Sequence, residues 1–125
     1  DDCYNANYAS TISGIDSLLS INRDNKHERK IIIVFGDMLE LGEKEKKIHY
    51  ELGNYISKAK HIDALFTIGN LSKEVSRAIK SSIYNKHFTN QQELIAELKN
   101  YSQYGDIIYF KGSRSMKLEI IIEKL

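Results

Sequence analysis

Apolar positions along the chain follow two rhythms in turn. Ile12, Ile15, Leu18 and Leu19 recur at helical spacing between Tyr8 and Ile21, with Ser10 or Thr11 placed to cap the start. After a polar turn, Asn22 to Lys30, comes Ile31-Ile32-Ile33-Val34-Phe35. An unbroken β-branched and aromatic run of this kind suits a strand buried on both faces. From Glu43 to Lys60, the residues Ile48, Leu52, Tyr55, Ile56 and Ala59 line one helical face. Glu43 and Glu45 stand in its first turn and Lys58 and Lys60 in its last, the order that the helix dipole favours. Ala64 to Ile68 predicts a second buried strand ending at Gly69-Asn70. Leu71, Val75, Ala78 and Ile79 mark a short helix, and Tyr84 to Phe88 a weaker strand. Leu94, Ile95, Leu98 and Tyr101 form the inward face of a helix capped by Thr89 or Asn90. Ile107-Ile108-Tyr109-Phe110 is another buried strand, and Ser115 to Leu125 reads as a closing helix.

Strict alternation of helix and strand predicts βαβ units with right-handed crossovers. The expected fold is α/β: one three-layer domain, 1–125, with a mostly parallel sheet and helices on both faces. Such a unit ordinarily begins with a strand, whereas Asp1-Asp2-Cys3-Tyr4-Asn5-Ala6-Asn7 reads as the loop that follows one. The expectation is a truncated first strand, in a domain that belongs to a longer protein.

Composition narrows the function classes. In 125 residues and 14.4 kDa, 18 Lys and Arg balance 17 Asp and Glu. A net charge of +1 gives no electrostatic case for nucleic acid or a membrane surface as partner. The single cysteine, Cys3, excludes an internal disulfide and any multi-cysteine metal site. No apolar run approaches the ~20 residues of a membrane span, and nothing at the start reads as a signal peptide. A soluble cytoplasmic domain, monomeric, is expected. The absence of proline leaves glycine and asparagine to make the turns.

In open α/β sheets ligands bind at the carboxyl ends of the strands. Topology brings four segments there: Asp1 to Asn7, Gly36 to Gly42, Gly69-Asn70 and Lys111 to Arg114. The first offers carboxylates, amides and a phenol suited to a sugar, an amide or a ribose hydroxyl, or else an Asx-rich turn into a helix. Gly36-Asp37-Met38-Leu39-Glu40-Leu41-Gly42 is not a phosphate loop. It has five residues between its glycines, is followed by Glu43-Lys44, and carries two acids that would repel phosphate. It reads as a structural turn, with Asp37 as the exception. Lys111-Gly112-Ser113-Arg114 combines N–H groups and two cations, either as an anion site or as a basic edge to the sheet. His27, His49, His61 and His87 show no ligand spacing. His49, beside Ile48, reads as a packing or positioning histidine. Neither a Ser/His/Asp triad nor a GxGxxG motif is present.

DDCYNAN at the start, GDMLELG after a strand, His49 followed by Glu51-Leu52-Gly53, and KGSRSM near the end stand in this order over essentially the whole chain. Together they resemble the C-terminal domain of the Mur ligases, in the branch that adds D-alanyl-D-alanine. The resemblance implies a Rossmann-like fold that closes over ATP and brings in the dipeptide. It also implies that catalytic groups, the phosphate loop and the Mg2+ sites lie in a central domain outside this chain. UDP-MurNAc-tripeptide would be held by an N-terminal domain. Asp2, Tyr4, Asn5 and Asn7 match the nucleotide-facing loop. Asp37, Lys111, Ser113 and Arg114 match the substrate-facing turns, with the cations suited to the dipeptide carboxylate. Tyr8 departs from the family, where proline is common. The alternatives weaken on their own residues. A phospho-receiver signalling domain needs an acceptor Asp where Gly69-Asn70 stands, and a free-standing nucleotide-binding module needs a glycine-rich cradle.

Overall fold

Four strands, β1 (Ile31–Gly36), β2 (Ala64–Ile68), β3 (Tyr84–Phe88) and β4 (Ile107–Lys111), form one sheet in the order β3-β2-β1-β4. All neighbours are parallel, with Ile32 beside Ala64, Ile31 beside Ile107, and Ala64 beside Tyr84. The computed structural model describes residues 6–24 and 29–112. The helices are α1 (Ala6–Asp24), α2 (Glu45–Lys58), α3 (Ser72–Arg77) and α4 (Gln91–Tyr101), and a 3-10 turn, Gly42–Lys44, leads into α2.

The β-branched run of β1 is central because both of its faces are apolar. Ile33 and Phe35 pack against Ile15 of α1, Ile48, Leu52 and Ile56 of α2, and Val75 of α3. Ile32 and Val34 pack on the opposite side with Ala64, Phe66 and Ile68 of β2 and with Leu94 and Leu98 of α4. All six β1 residues are buried, and each large side chain contributes about 1.5–3 kcal/mol by leaving water. Three layers result, as expected. Gly14 lets α1 lie close on β4: a Cβ there would stand 2.3 Å from the Tyr109 hydroxyl. The Tyr55 hydroxyl donates to Asp16, joining α2 to α1. Burial, reinforced by that carboxylate, pushes the Tyr55 phenol up to about 12.

Carboxylates fix the amino ends of the strands. Asp63 Oδ2 accepts from the Ile31 N–H at 2.8 Å. Asp106 accepts from the N–H groups of Lys30 and Gln103, each at 2.8 Å, and pairs with the Lys30 ammonium at 3.1 Å.

Some helix ends differ from the sequence expectation. α1 begins at Ala6, so Ser10 and Thr11 lie inside it; the Thr11 hydroxyl donates instead to the Asn7 carbonyl, 2.8 Å away. Apolar spacing begins only at Ile12, whereas helical hydrogen bonding starts about two turns earlier. α2 stops at Lys58 because Ala59 turns extended. Of the two caps expected for α4, Asn90 is the one used, accepting the Glu93 N–H at 2.9 Å. The expected helix from Ser115 to Leu125 lies outside the described residues. Among the described residues, no helix is long and apolar enough to cross a membrane.

Candidate functional site

From β1 the chain steps through α2 and α3 to β2 and β3, then crosses by α4 to the other side of β1. The direction of winding therefore reverses between β1 and β4. In sheets of this kind the crevice at that reversal, beyond the carboxyl ends of the strands, is where ligands sit. Here its walls begin at Gly36-Asp37 and at Lys111-Gly112.

Asp37 leaves β1 at only 6% exposure. Its Oδ1 accepts from the N–H groups of Leu71 and Ser72, at 3.0 and 2.7 Å. These are donors that the short α3 leaves free at its start. Gly69 makes room: its φ is +111°, and a Cβ there would stand 2.5 Å from Asp37 Oδ1. The next amide, Met38 N–H, donates to His49 Nε2 at 3.0 Å. That N–H can only donate, so Nε2 is unprotonated and Nδ1 carries the hydrogen, which it gives to the Glu45 carbonyl at 2.7 Å. The fully buried imidazole is a positioning group, in agreement with its reading from sequence. It also meets Phe35 edge to face, with centroids 6.2 Å apart. Beyond this anchor the loop bends through left-handed Glu40 (φ 63°) and Gly42 (φ 79°). Leu39, 37% exposed, stands at its tip.

Lys111 is paired with Phe35 in the β1–β4 register and so lies on the α1 side of the sheet. It is half-buried and makes no ion pair among the described residues. The first turn of α1 reaches the same edge. Thr11 Oγ1 lies 3.7 Å from the Met38 sulfur, and exposed Asn7 is one turn earlier. Asn7, Asp37 and Lys111 are thus brought to one edge. Asp2, Tyr4, Asn5, Ser113 and Arg114 lie outside the described residues, as do Cys3 and His27.

Sequence reasoning passed over a second group at the far side of that edge. His87, next to last in β3, has Nδ1 2.7 Å from the buried Thr67 hydroxyl. Burial holds His87 below the usual histidine range, and the cations of Lys73 and Arg77 add to this while Asp37 opposes it. Its signal in the sequence was faint: a polar residue between Lys86 and Phe88 in a strand of mixed pattern. Among the described residues no cluster of His, Cys, Asp or Glu is arranged to hold a metal ion.

The family model described as Mur ligase, glutamate ligase domain, matches residues 2–114. The chain belongs to the Mur ligase family. Over its full length this Mur ligase domain is 42% identical to the UDP-N-acetylmuramoyl-tripeptide–D-alanyl-D-alanine ligase of Buchnera aphidicola subsp. Baizongia pistaciae. It is 38% identical to the ligase of the same name from Bacillus subtilis. It covers 25% and 27% of those relatives, so the chain spans about a quarter of their length. Among solved structures it matches the MurF ligase from Thermotoga maritima in complex with ADP, with 27% identity and a TM-score of 0.73 over 99% of the chain and 26% of that protein. MurF from Acinetobacter baumannii matches over 100% of the chain and 27% of its own length, with 25% identity and a TM-score of 0.75. The Rossmann-like expectation holds for this Mur ligase domain, and nothing in the comparisons supports a phospho-receiver.

Proposed function

We propose that this chain is the C-terminal domain of an ATP-dependent ligase. The ligase joins D-alanyl-D-alanine to UDP-N-acetylmuramoyl-tripeptide in cytoplasmic peptidoglycan synthesis. The observation that carries this reading is the likeness, over the whole of this chain and about a quarter of theirs, to ligases of that one name, at up to 42% identity. In such a ligase ATP phosphorylates the peptide carboxylate, the dipeptide amine displaces phosphate from the acyl phosphate, and ADP leaves. The phosphate loop and Mg2+ ligands belong to the remaining three quarters of the protein. This chain supplies a rigid wall for the closed cleft. Asn7, with Asp2, Tyr4 and Asn5, faces the nucleotide. Lys111, with Ser113 and Arg114, offers cations and donors to the dipeptide carboxylate, which needs such partners once desolvated. Asp37 holds the neighbouring turn in place through the amides of Leu71 and Ser72.

The test is the full-length protein incubated with ATP, Mg2+, UDP-N-acetylmuramoyl-tripeptide and D-alanyl-D-alanine, following phosphate release and product mass. Turnover requiring all of them is expected, with a product heavier by the dipeptide less water. Turnover with a single amino acid in place of the dipeptide would overturn the reading.

A further inference from the structure

A cavity of about 300 Å³ opens at the carboxyl ends of β2 and β3, lined by Gly69, Asn70, Lys73, His87, Phe88 and Thr89. Its polar lining is all donor-capable: an amide, a hydroxyl, an ammonium and an imidazole. No carboxylate lines it. Lys73 makes no ion pair among the described residues. Thr67 binds His87 Nδ1 from beneath, so the ring is fixed and its Nε2 edge is the one left for the cavity. Phe88 and Gly69 complete a wall without competing charge. We propose that this cavity is an oxyanion site, taking a phosphate-like or carboxylate group between the Lys73 ammonium and the Nε2 edge of His87, with Asn70 and Thr89 as further donors.

The charges around His87 fit this use. Lys73 and Arg77 repel its proton, and Asp37 attracts it. Arg77 is engaged by Glu74 at 2.9 Å and Asp37 Oδ1 by two backbone amides, whereas Lys73, which also lines an adjoining cavity with Asp37 and Glu45, makes no ion pair among the described residues. An anion beside Lys73 removes the repulsion and adds an acceptor for Nε2–H. Anion binding and proton uptake at His87 therefore favour each other, by the reciprocity of linked equilibria. Binding strengthens as pH falls through the His87 midpoint.

Proton NMR of the His87 Cε1–H against pH tests this, with the signal assigned by its loss in His87→Gln and folding checked by the amide spectrum. The probes are sodium sulfate, which does not titrate near neutrality, and sodium acetate, each against sodium chloride at equal ionic strength. At saturating probe we expect the midpoint to rise by about one unit, equivalent to about tenfold tighter binding to protonated His87. Lys73→Met should abolish the rise and weaken binding about tenfold. A response to sulfate alone assigns a phosphate-type site, and one to acetate alone assigns a carboxylate site. No rise with either probe, or a rise that persists unchanged in Lys73→Met, overturns the proposal.

Discussion

The two walls of the crevice between β1 and β4 are neighbours in register and opposites in the use of their polar groups. After β1, Asp37 accepts two amides, Met38 N–H is taken by His49, and Gly69 is left bare so that the carboxylate can approach. At the end of β4, Lys111 stands beside Phe35 with no ion pair among the described residues. Buried polar groups persist only where they are paired. The first wall therefore acts as framework, and the second keeps an unspent charge, the group proposed above to meet a ligand. Three substitutions test that division, and a fourth carries it to the opposite edge of the sheet.

The largest loss of stability is expected from Asp37→Ala. It orphans the Leu71 and Ser72 N–H groups, each at a cost of about 1–3 kcal/mol. A loss of about 3 kcal/mol should appear in denaturant unfolding, as a lower midpoint with little change in slope. Asp37→Asn retains an acceptor oxygen and should recover part of it. An unchanged midpoint with activity lost would make Asp37 a ligand group and erase the contrast.

His49→Phe comes next. It keeps the apolar contact with Phe35 and removes the acceptor for Met38 N–H, costing about 2 kcal/mol. Hydrogen exchange should speed up at Met38 more than at Ile33. Uniform acceleration would show general loosening and not a released anchor.

The opposite edge of the sheet is held in the same way, and there pH is the probe. Burial alone would push Asp106 up, but the N–H groups of Lys30 and Gln103 and the Lys30 ammonium outweigh it, and the carboxyl sits below the usual aspartate range. A lowered carboxyl stabilises the fold fully above its unfolded value near 3.8. That contribution fades as pH falls through the folded value. Asp106→Asn should cost about 1 kcal/mol at neutral pH and flatten the loss of stability below about pH 4. An acid limb as steep as in the wild type would assign the acid sensitivity to other groups.

The fold was legible in the sequence because period and burial coincide. The run from Ile31 to Phe35 admits only a strand covered on both faces, and the helical spacing of Ile48, Leu52 and Ile56 picks out the face that covers it. The order β3-β2-β1-β4 was not legible. Handedness fixes each crossover, but pattern does not say on which side of β1 the last strand returns. The edge carrying the candidate site followed from the carboxyl-end rule, and His49 was recognised as a packing residue from its place beside Ile48. Its hydrogen bond to Met38 was invisible, because the partner is a backbone amide 11 residues away that only the bend at Glu40 and Gly42 brings close. Lys73 and His87 were missed for a related reason: they line one cavity from a helix and a strand, with no spacing to announce them.

The smallest change in stability, and the sharpest test of the division, belongs to Lys111→Met. A half-buried lysine with no ion pair among the described residues contributes little to folding, and its stem packs much as methionine does. The expected cost is below about 0.5 kcal/mol. On the proposed function, the same change in the full-length protein should reduce kcat/KM about tenfold for the substrate whose anionic group Lys111 meets, equal to about 1.4 kcal/mol. If that group is the dipeptide carboxylate, the loss falls on D-alanyl-D-alanine and spares ATP. If it is the nucleotide, the pattern reverses. Lys111→Arg keeps the charge but replaces a compact ammonium with a planar fork, so it should restore only part of the activity. Equal losses for both substrates, together with a lower unfolding midpoint, would mean that Lys111 is framework after all. The two walls would then differ in sequence but not in role.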